Sequence, residues 1–364
     1  MSAPLAGLRA WWLKLPLTEP YENALGALRH FDVMVLRLED GDGRIGWGEA
    51  CPVAGYSPET PAEAWEALNS AASALTGALP AAIDEWAAAR HRSIPFVVSA
   101  IGEAMARMTG DPLLRPAERP VRVALAGTVN TLSIDEAPAR AAALVAQGYR
   151  TLKVKVGYDP AADAARVDAI GAAIGASARI RADANQGYDR ERALDFARRV
   201  RPAPIEVFEQ PLPADQWAGL AEIARRSPLP LMLDESIYDE ADVVRAAREV
   251  GAAAVKLKMS KAGGPAALGR QVERARALGL GIVVGNGVAS DLGCLHEALC
   301  VSRLGVETAG ELNGFLKPTT ALLPTPLGYE APHVVVAPGP LPAPVPERLE
   351  RFAVERIGTG AAAD

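Results

Sequence analysis

Two hydrophobic rhythms divide the chain. Apolar and β-branched residues dominate positions 31–39 (Phe-Asp-Val-Met-Val-Leu-Arg-Leu-Glu), Gly41-Asp42-Gly43 supplies a turn, and 44–50 returns as a second strand, which predicts a hairpin. Segments 61–75, 81–90 and 95–108 then carry the spacing of amphipathic helices. Strands followed by helices predict a small α+β unit over residues 1–120. Segments 16–28 and 51–60 read as loops. From residue 121 the rhythm changes. Short apolar runs at 121–130, 151–157, 180–185, 207–212, 231–236, 254–260, 281–288 and 307–314 alternate with Ala-rich helical stretches, at a period of about 25 residues. Eight strands with seven intervening helices predict a modified TIM barrel, (β/α)7β, over residues 121–324. An open doubly wound sheet would carry a Gly-rich phosphate turn after its first strand, where this chain has Val129-Asn130-Thr131. Residues 325–364, with Pro at 338, 340, 342, 344 and 346, read either as an extended segment returning to the N-terminal capping unit or as a partly ordered terminus.

Composition narrows the class. With 49% apolar and 23% charged residues in 364, a sizeable core can be buried and wholesale disorder is excluded. Aromatics are only 5% while Ala is plentiful, which suits closely packed Ala-rich helices better than an aromatic-rich β-sandwich. A net charge of −6 without basic clusters argues against nucleic acid or an anionic membrane as partner. No apolar run is long enough to span a membrane, and the N-terminus lacks the charged and apolar regions of a signal peptide. A cytoplasmic protein with reduced thiols is expected. Cys51, Cys294 and Cys300 are too few and too spread for a disulfide framework, and His30, His91, His296 and His333 show no ligand spacing.

The candidate chemistry lies at the strand ends, where barrels of this kind place their sites. The second run carries Lys153 and Lys155 and the sixth Lys256 and Lys258. The third, fourth and fifth end in Asp183-Ala-Asn185, Glu209-Gln-Pro211 and Asp234-Glu-Ser236. Positions 183, 209, 234 and 258 are 26, 25 and 24 residues apart, one βα repeat each, so they open into one mouth. Three adjacent carboxylates with no His or Cys form a hard, oxygen-only set that selects Mg²⁺, or Mn²⁺, over Zn²⁺. A salt-bridge network between the acids and the lysines is the alternative reading. The second and sixth strands face each other across an eight-stranded mouth, so Lys155 and Lys258 are expected to flank a bound ligand. Two ammonium groups two residues apart on one strand face are expected to lower the pKa of one of them. Lys256 reads equally as part of this set or as a charge pointing past it.

At these residues the sequence resembles the enolase superfamily, specifically its muconate-lactonizing subgroup. The matching pieces run from Gly46-Trp-Gly-Glu-Ala50 through Lys153-Val-Lys155, Asp183-Ala-Asn185, Glu209-Gln-Pro211, Asp234-Glu-Ser236 and Lys258-Met-Ser-Lys-Ala-Gly-Gly264 to Asn313. The resemblance implies a (β/α)7β barrel with an α+β capping domain. It implies one Mg²⁺ on Asp183, Glu209 and Asp234, a substrate carboxylate on that ion, and a lysine base that removes the α-proton. The resulting enediolate would be stabilised by the metal and by Lys153. The mandelate-racemase subgroup carries a His at the end of the seventh strand, where this chain has Gly285-Asn-Gly287. Relatives carry a Met-Leu-Glu-like stretch after that strand, where Ala289 stands with Asp291 close by. Dipeptide epimerases carry Asp-x-Asp at the eighth strand to bind a substrate ammonium, and here the residues are Glu311-Leu-Asn313.

Two opposed lysines suit racemisation or epimerisation of an amino-acid derivative or dipeptide. Muconate-type cycloisomerisation and an o-succinylbenzoate-synthase-like dehydration are the nearer alternatives. A Schiff-base aldolase and a non-catalytic metal-binding barrel are the distant ones. Substrate contacts are expected from Tyr21 and Tyr56 in the two capping segments and from Asn185, Asn286, Asp291 and Glu311 at the barrel mouth. Glu19 and Glu22 read either as further contacts or as solvated loop acids. A small-molecule carboxylate and further copies of the same chain are the expected partners.

Overall fold

The protein, described here from a computed structural model, is traced over residues 3–23, 26–201 and 204–358. Its first half-layer is an antiparallel sheet of β1 (Leu5–Asn23), β2 (Gly26–Asp40) and β3 (Ile45–Ala50). Helices α1 (Pro61–Leu75), α2 (Pro80–Arg90) and α3 (Pro95–Thr109) follow. α1 starts where the sequence dictates: Thr60 caps Glu63 N, Glu63 caps Thr60 N in return, and Pro61 occupies the first turn. α3 lies so close on β3 that a Cβ at Gly48 would stand 1.9 Å from the Ala100 carbonyl oxygen. Only glycine permits that approach.

The barrel consists of seven parallel strands in sequential order: β5 (Gly127–Val129), β6 (Thr151–Lys155), β7 (Arg179–Asp183), β8 (Ile205–Glu209), β9 (Leu231–Leu233), β10 (Ala254–Leu257) and β11 (Gly281–Val284). Helices α4 (Ala137–Ala146), α5 (Pro160–Ile174), α6 (Arg190–Arg199), α7 (Trp217–Arg226) and α8 (Glu240–Arg245) alternate with the first of these strands. After β10 come the short α9 (Met259–Ala262) and α10 (Pro265–Ala277), and after β11 comes α11 (Asp291–Arg303). Asp159, Asp189, Asp239 and Ser290 cap the helices that follow them, each accepting from backbone N–H groups of the first turn.

Three expectations are corrected. First, residues 121–130 are not one strand. β4 (Val121–Ala124) pairs antiparallel with β13 (His333–Val336), itself paired with β12 (Gly328–Glu330), and the chain turns at Leu125-Ala126 before β5 enters the barrel. Second, residues 307–314 form no regular strand. The eighth position is a seam: Gly310 N donates to Ala124 O and Ala126 N to Gly310 O, each at 2.8 Å, and Glu311 N to Val284 O at 3.3 Å. Gly285 permits this crowding, since a Cβ there would stand 2.4 Å from Glu311 N and its φ is +143°. Third, segment 16–28 is no loop. β1 and β2 remain paired out to Asn23 opposite Gly26, with a register shift between Pro16 and Tyr21. Pro16 and Pro20 suggest a loop, but proline is tolerated in a strand at such irregularities.

The Pro-rich C-terminal segment returns to the capping sheet. β14 (Ala353–Gly358) pairs antiparallel with β1, giving the order β14-β1-β2-β3, and residues 359–364 lie outside the described residues. No helix among the described residues is long and apolar enough to cross a membrane. The three cysteines are free and buried.

Glu49 ties the two halves together. From β3 its carboxylate accepts from Ser290 N at 2.8 Å, from the Ser290 hydroxyl, and from Gly293 N at 3.4 Å, all at the start of α11. Burial pushes its pKa up from the usual 4.5 to about 7, against the pull of those donors. A raised folded-state pKa means that the folded protein holds a proton that the unfolded chain has released. The associated stability is therefore complete below about pH 4.5 and lost as pH rises through about 7. Urea midpoints taken between pH 5 and 8 should show the wild type losing stability relative to Glu49→Gln as pH rises. A pH-independent difference would count against this titration.

Candidate active site

The barrel strands deliver charged side chains to one end. In the register of β6, β7 and β8, Lys155 stands beside Asp183 and Asp183 beside Glu209, so these three side chains share one level and one face. Asp234 follows β9, Lys256 lies on β10, and Lys258 follows it. The turns after β7 and β8 are strained. Asn185, Gln186 and Gln210 hold φ values of 39°, 66° and 34°, a region costing non-glycine residues on the order of 1–3 kcal/mol each. Hydrogen bonds hold them there: Asn185 N donates to Asp183 Oδ1 at 3.0 Å, and Asp234 N donates to Gln210 Oε1 at 3.0 Å. Strain at these turns is thus coupled to the aim of the carboxylates.

The acids and lysines interlock. Lys153 Nζ lies 2.8 Å from Asp183, 3.3 Å from Glu209 and 2.7 Å from Glu311. Lys256 Nζ lies 3.1 Å from Glu209, 3.5 Å from Asp234 and 2.7 Å from Glu311. Lys155 reaches Asp183 at 2.7 Å and also donates to Asn185 Oδ1. Lys258 reaches Asp234 at 2.6 Å and donates to the Tyr56 hydroxyl. Lys256, for which the sequence left two readings, is fully buried and points into the network.

Lys153 and Lys258, one from each pair, do not fall below the ordinary lysine range. Burial works to lower both, but Asp183, Glu209 and Glu311 around Lys153, and Asp234 and Glu235 around Lys258, outweigh it and hold both above the ordinary lysine range. The acids split. Burial opposes ionisation of Asp183 and Asp234, yet the lysines hold both below the usual carboxylate range. Glu209 goes the other way, pushed up to about 7 by burial and by the Asp183 charge.

Among the described residues, no three His, Cys, Asp or Glu side chains stand in metal-ligand geometry, because lysine ammonium groups bridge the carboxylates. The donor set nonetheless fits a hard cation. Glu209 Oε2 is buried without a hydrogen-bond partner, as is Oε2 of the neighbouring acid Glu235. One oxygen of each acid is thus left open although lysines surround them, and all the donors are oxygen.

A cavity of about 320 Å³ opens above this network. Tyr21, Tyr56, Asn185, Asn286 and Glu311 line it with Lys153, Lys155, Lys258 and Asp234, while Asp183 and Glu209 lie behind the wall. Asp291 is elsewhere. Its carboxylate accepts from Leu322 N at 2.7 Å and Leu323 N at 2.9 Å, anchoring the segment after the seam, and it does not line the cavity. Glu19 is exposed, and the side chain of Glu22 lies outside the described residues. His296 is buried in α11 with Nδ1 2.9 Å from Glu103 Oε2, away from the cavity.

Strand-end reading overlooks Glu235, Lys261 and Lys317. Glu235 lines the cavity and accepts from Asn185 Nδ2 at 3.0 Å, while Lys261 Nζ lies 3.2 Å from Asp234 Oδ1. A compositional signal points to the two lysines. The chain has 31 arginines but only seven lysines, and six of the seven (153, 155, 256, 258, 261 and 317) lie in or directly behind this cavity. Arginine cannot be deprotonated in a protein, whereas lysine can, so a chain that reserves lysine for one place marks it as a site for amine chemistry.

Known proteins resemble the chain in sequence and fold. The family model "Enolase C-terminal domain-like" matches residues 136–340. An aromatic dipeptide epimerase of Herpetosiphon aurantiacus is 35% identical over 317 residues, 82% of this chain and 86% of that protein. Muconate cycloisomerase 1 of Pseudomonas putida is 31% identical over 353 residues, 92% of this chain and 94% of that protein. The crystal structure of muconate lactonizing enzyme from Pseudomonas fluorescens superposes with a TM-score of 0.86 at 27% identity, covering 97% of this chain and all of that one. On sequence and fold together, the chain belongs to the enolase superfamily, in its muconate-lactonizing subgroup of isomerases.

Proposed function

We propose that the protein is a Mg²⁺-dependent racemase or epimerase that moves the proton on the carbon α to a carboxylate, in an amino-acid derivative or dipeptide. The observation that carries this reading is that Lys155 and Lys258 line one cavity from positions at the ends of β6 and β10, four strands apart in the barrel order, with a different acid beside each. Asp183, Glu209 and Asp234 would hold Mg²⁺, or Mn²⁺ in its place. When bound, the ion supplies fixed positive charge against the charge that grows on the substrate carboxylate. One lysine, as the free amine, takes the proton from its face of the α-carbon. The other, as the ammonium, returns a proton to the opposite face, and the two exchange roles for the opposite enantiomer. Lys153, buried on β6 two residues before Lys155, donates a hydrogen bond to the carboxylate oxygen. Tyr21 and Tyr56 help close the cavity against water.

The test is a screen of N-acyl amino acids, dipeptides, proline derivatives and muconate in D₂O with Mg²⁺, reading α-deuterium by NMR. Both enantiomers of a substrate should take up deuterium, and EDTA should abolish uptake. The likeness to muconate cycloisomerase supports a second reading, in which muconate lactonises and a single lysine handles the proton. A borohydride-trapped adduct with a carbonyl compound would overturn both readings in favour of an imine.

A further inference from the structure

Lys317 differs from every other lysine of the cavity. Lys153, Lys155, Lys256 and Lys258 each lie within 3.5 Å of a carboxylate. Lys317 has no carboxylate within 4.0 Å among the described residues. Its Nζ donates to Gly287 O at 2.6 Å, Asn313 Oδ1 at 3.0 Å and Asn313 O at 3.3 Å, and lies 5.3 Å from the centre of the Tyr21 ring. Two of these three contacts go to the single residue Asn313, and none of the partners neutralises its charge. Burial accordingly pulls its pKa down from 10.5 to about 8.

Gly287 brings these groups within van der Waals range of one point. A Cβ built at Gly287 would stand 3.6 Å from Asn313 Oδ1 and 3.9 Å from both Lys317 Nζ and the Tyr21 hydroxyl. All four residues line the cavity that holds Lys155 and Lys258. The acid nearest in sequence is already engaged. Glu311 Oε2 lies 2.7 Å from both Lys153 and Lys256, so its charge is balanced within the network, although its Oε1 has no hydrogen-bond partner.

We propose that Lys317, positioned by Asn313 and Gly287, is a specificity-determining cation that receives an anionic group, a second carboxylate, at the end of the substrate remote from the reacting carbon. This rests on the proposed α-proton chemistry for its choice of substrate frame. The charge of that second group compensates a cation that the protein leaves without a counter-ion. Lys317 is a binding residue in this proposal and takes no part in proton transfer.

The test compares two probes that differ in one charge, N-succinylglycine and N-butanoylglycine, by calorimetry on the full-length protein with Mg²⁺ present. Wild type should bind the succinyl compound roughly 10- to 100-fold tighter, the scale of one charge-assisted hydrogen bond. Lys317→Met keeps the apolar stem and should abolish that ratio by weakening the succinyl compound alone. Lys317→Arg should retain part of it. An equal loss for both probes, or an unchanged ratio in Lys317→Met, overturns the proposal. If Lys317→Met fails to fold, Lys317→Gln replaces it in the same comparison. Because binding is read without turnover, the two proposals fail separately. A Lys317-dependent ratio without α-deuterium uptake from any substrate would leave the subsite standing and remove the reaction. Uptake without the ratio would do the reverse.

Discussion

Lys155→Ala should lose α-deuterium exchange from one enantiomer of a substrate while keeping it from the other, and Lys258→Ala should show the opposite pattern. Each loss should reach roughly 10²–10⁴-fold, the range for a general acid or base in the transition state. The asymmetry follows from geometry. The two amines approach from β6 and β10, and each is held by a different acid, Asp183 at 2.7 Å and Asp234 at 2.6 Å. Removing one therefore leaves the other's setting largely intact. NMR of the separated enantiomers in D₂O gives the answer directly. Equal loss for both enantiomers in each variant would overturn the two-base assignment. Loss from Lys258→Ala alone would favour one-base chemistry of the cycloisomerase kind.

The second large effect is expected at Asp234. Asp234→Asn should weaken Mg²⁺ binding by more than the roughly 10–100-fold typical of outer-shell changes, because this carboxylate would contact the ion directly. Calorimetric titration with Mg²⁺ measures it, and unchanged affinity would sink the assignment. The variant has a second consequence. Lys258 and Lys261 both rest on Asp234, at 2.6 and 3.2 Å, and a neutral amide leaves these buried ammonium groups short of negative charge. Breaking a buried pair costs about 3–5 kcal/mol. A fall in the urea midpoint should therefore accompany the loss of metal affinity. Circular dichroism of the variant separates a folded protein with a weakened site from an unfolded one.

Much of the fold was legible because it is periodic. A repeat of about 25 residues marks where strands and helices alternate, and the structure follows it within a few residues. What escaped lies where tertiary contacts override local pattern. Residues 121–124 are as apolar as a barrel strand, yet they pair with a partner some two hundred positions later, beyond any local window. Residues 307–314 look like a strand, but Gly285 and Gly310 bring two backbones too close for a regular ladder. In the site, Asp183, Glu209, Asp234, Lys155 and Lys258 were found because each stands one βα repeat from the next or pairs across the mouth. Lys317 follows the seam, off that repeat, so spacing could not find it. Asp291 was chosen for its nearness in sequence to the seventh strand, but its side chain turns to the backbone of Leu322 and Leu323.

The economy of lysine has a practical side. Outside the cavity region the only lysine is Lys14, which is exposed on β1, so nearly every side-chain amine in the molecule belongs to one site. Reductive methylation with ¹³C-formaldehyde would therefore place almost all of its side-chain labels within a single network of charges. The resulting spectrum would contain at most seven side-chain amine environments, one of them a solvent-facing reference. Few enzymes allow the protonation of an entire active site to be followed, group by group, without first removing the background of surface lysines.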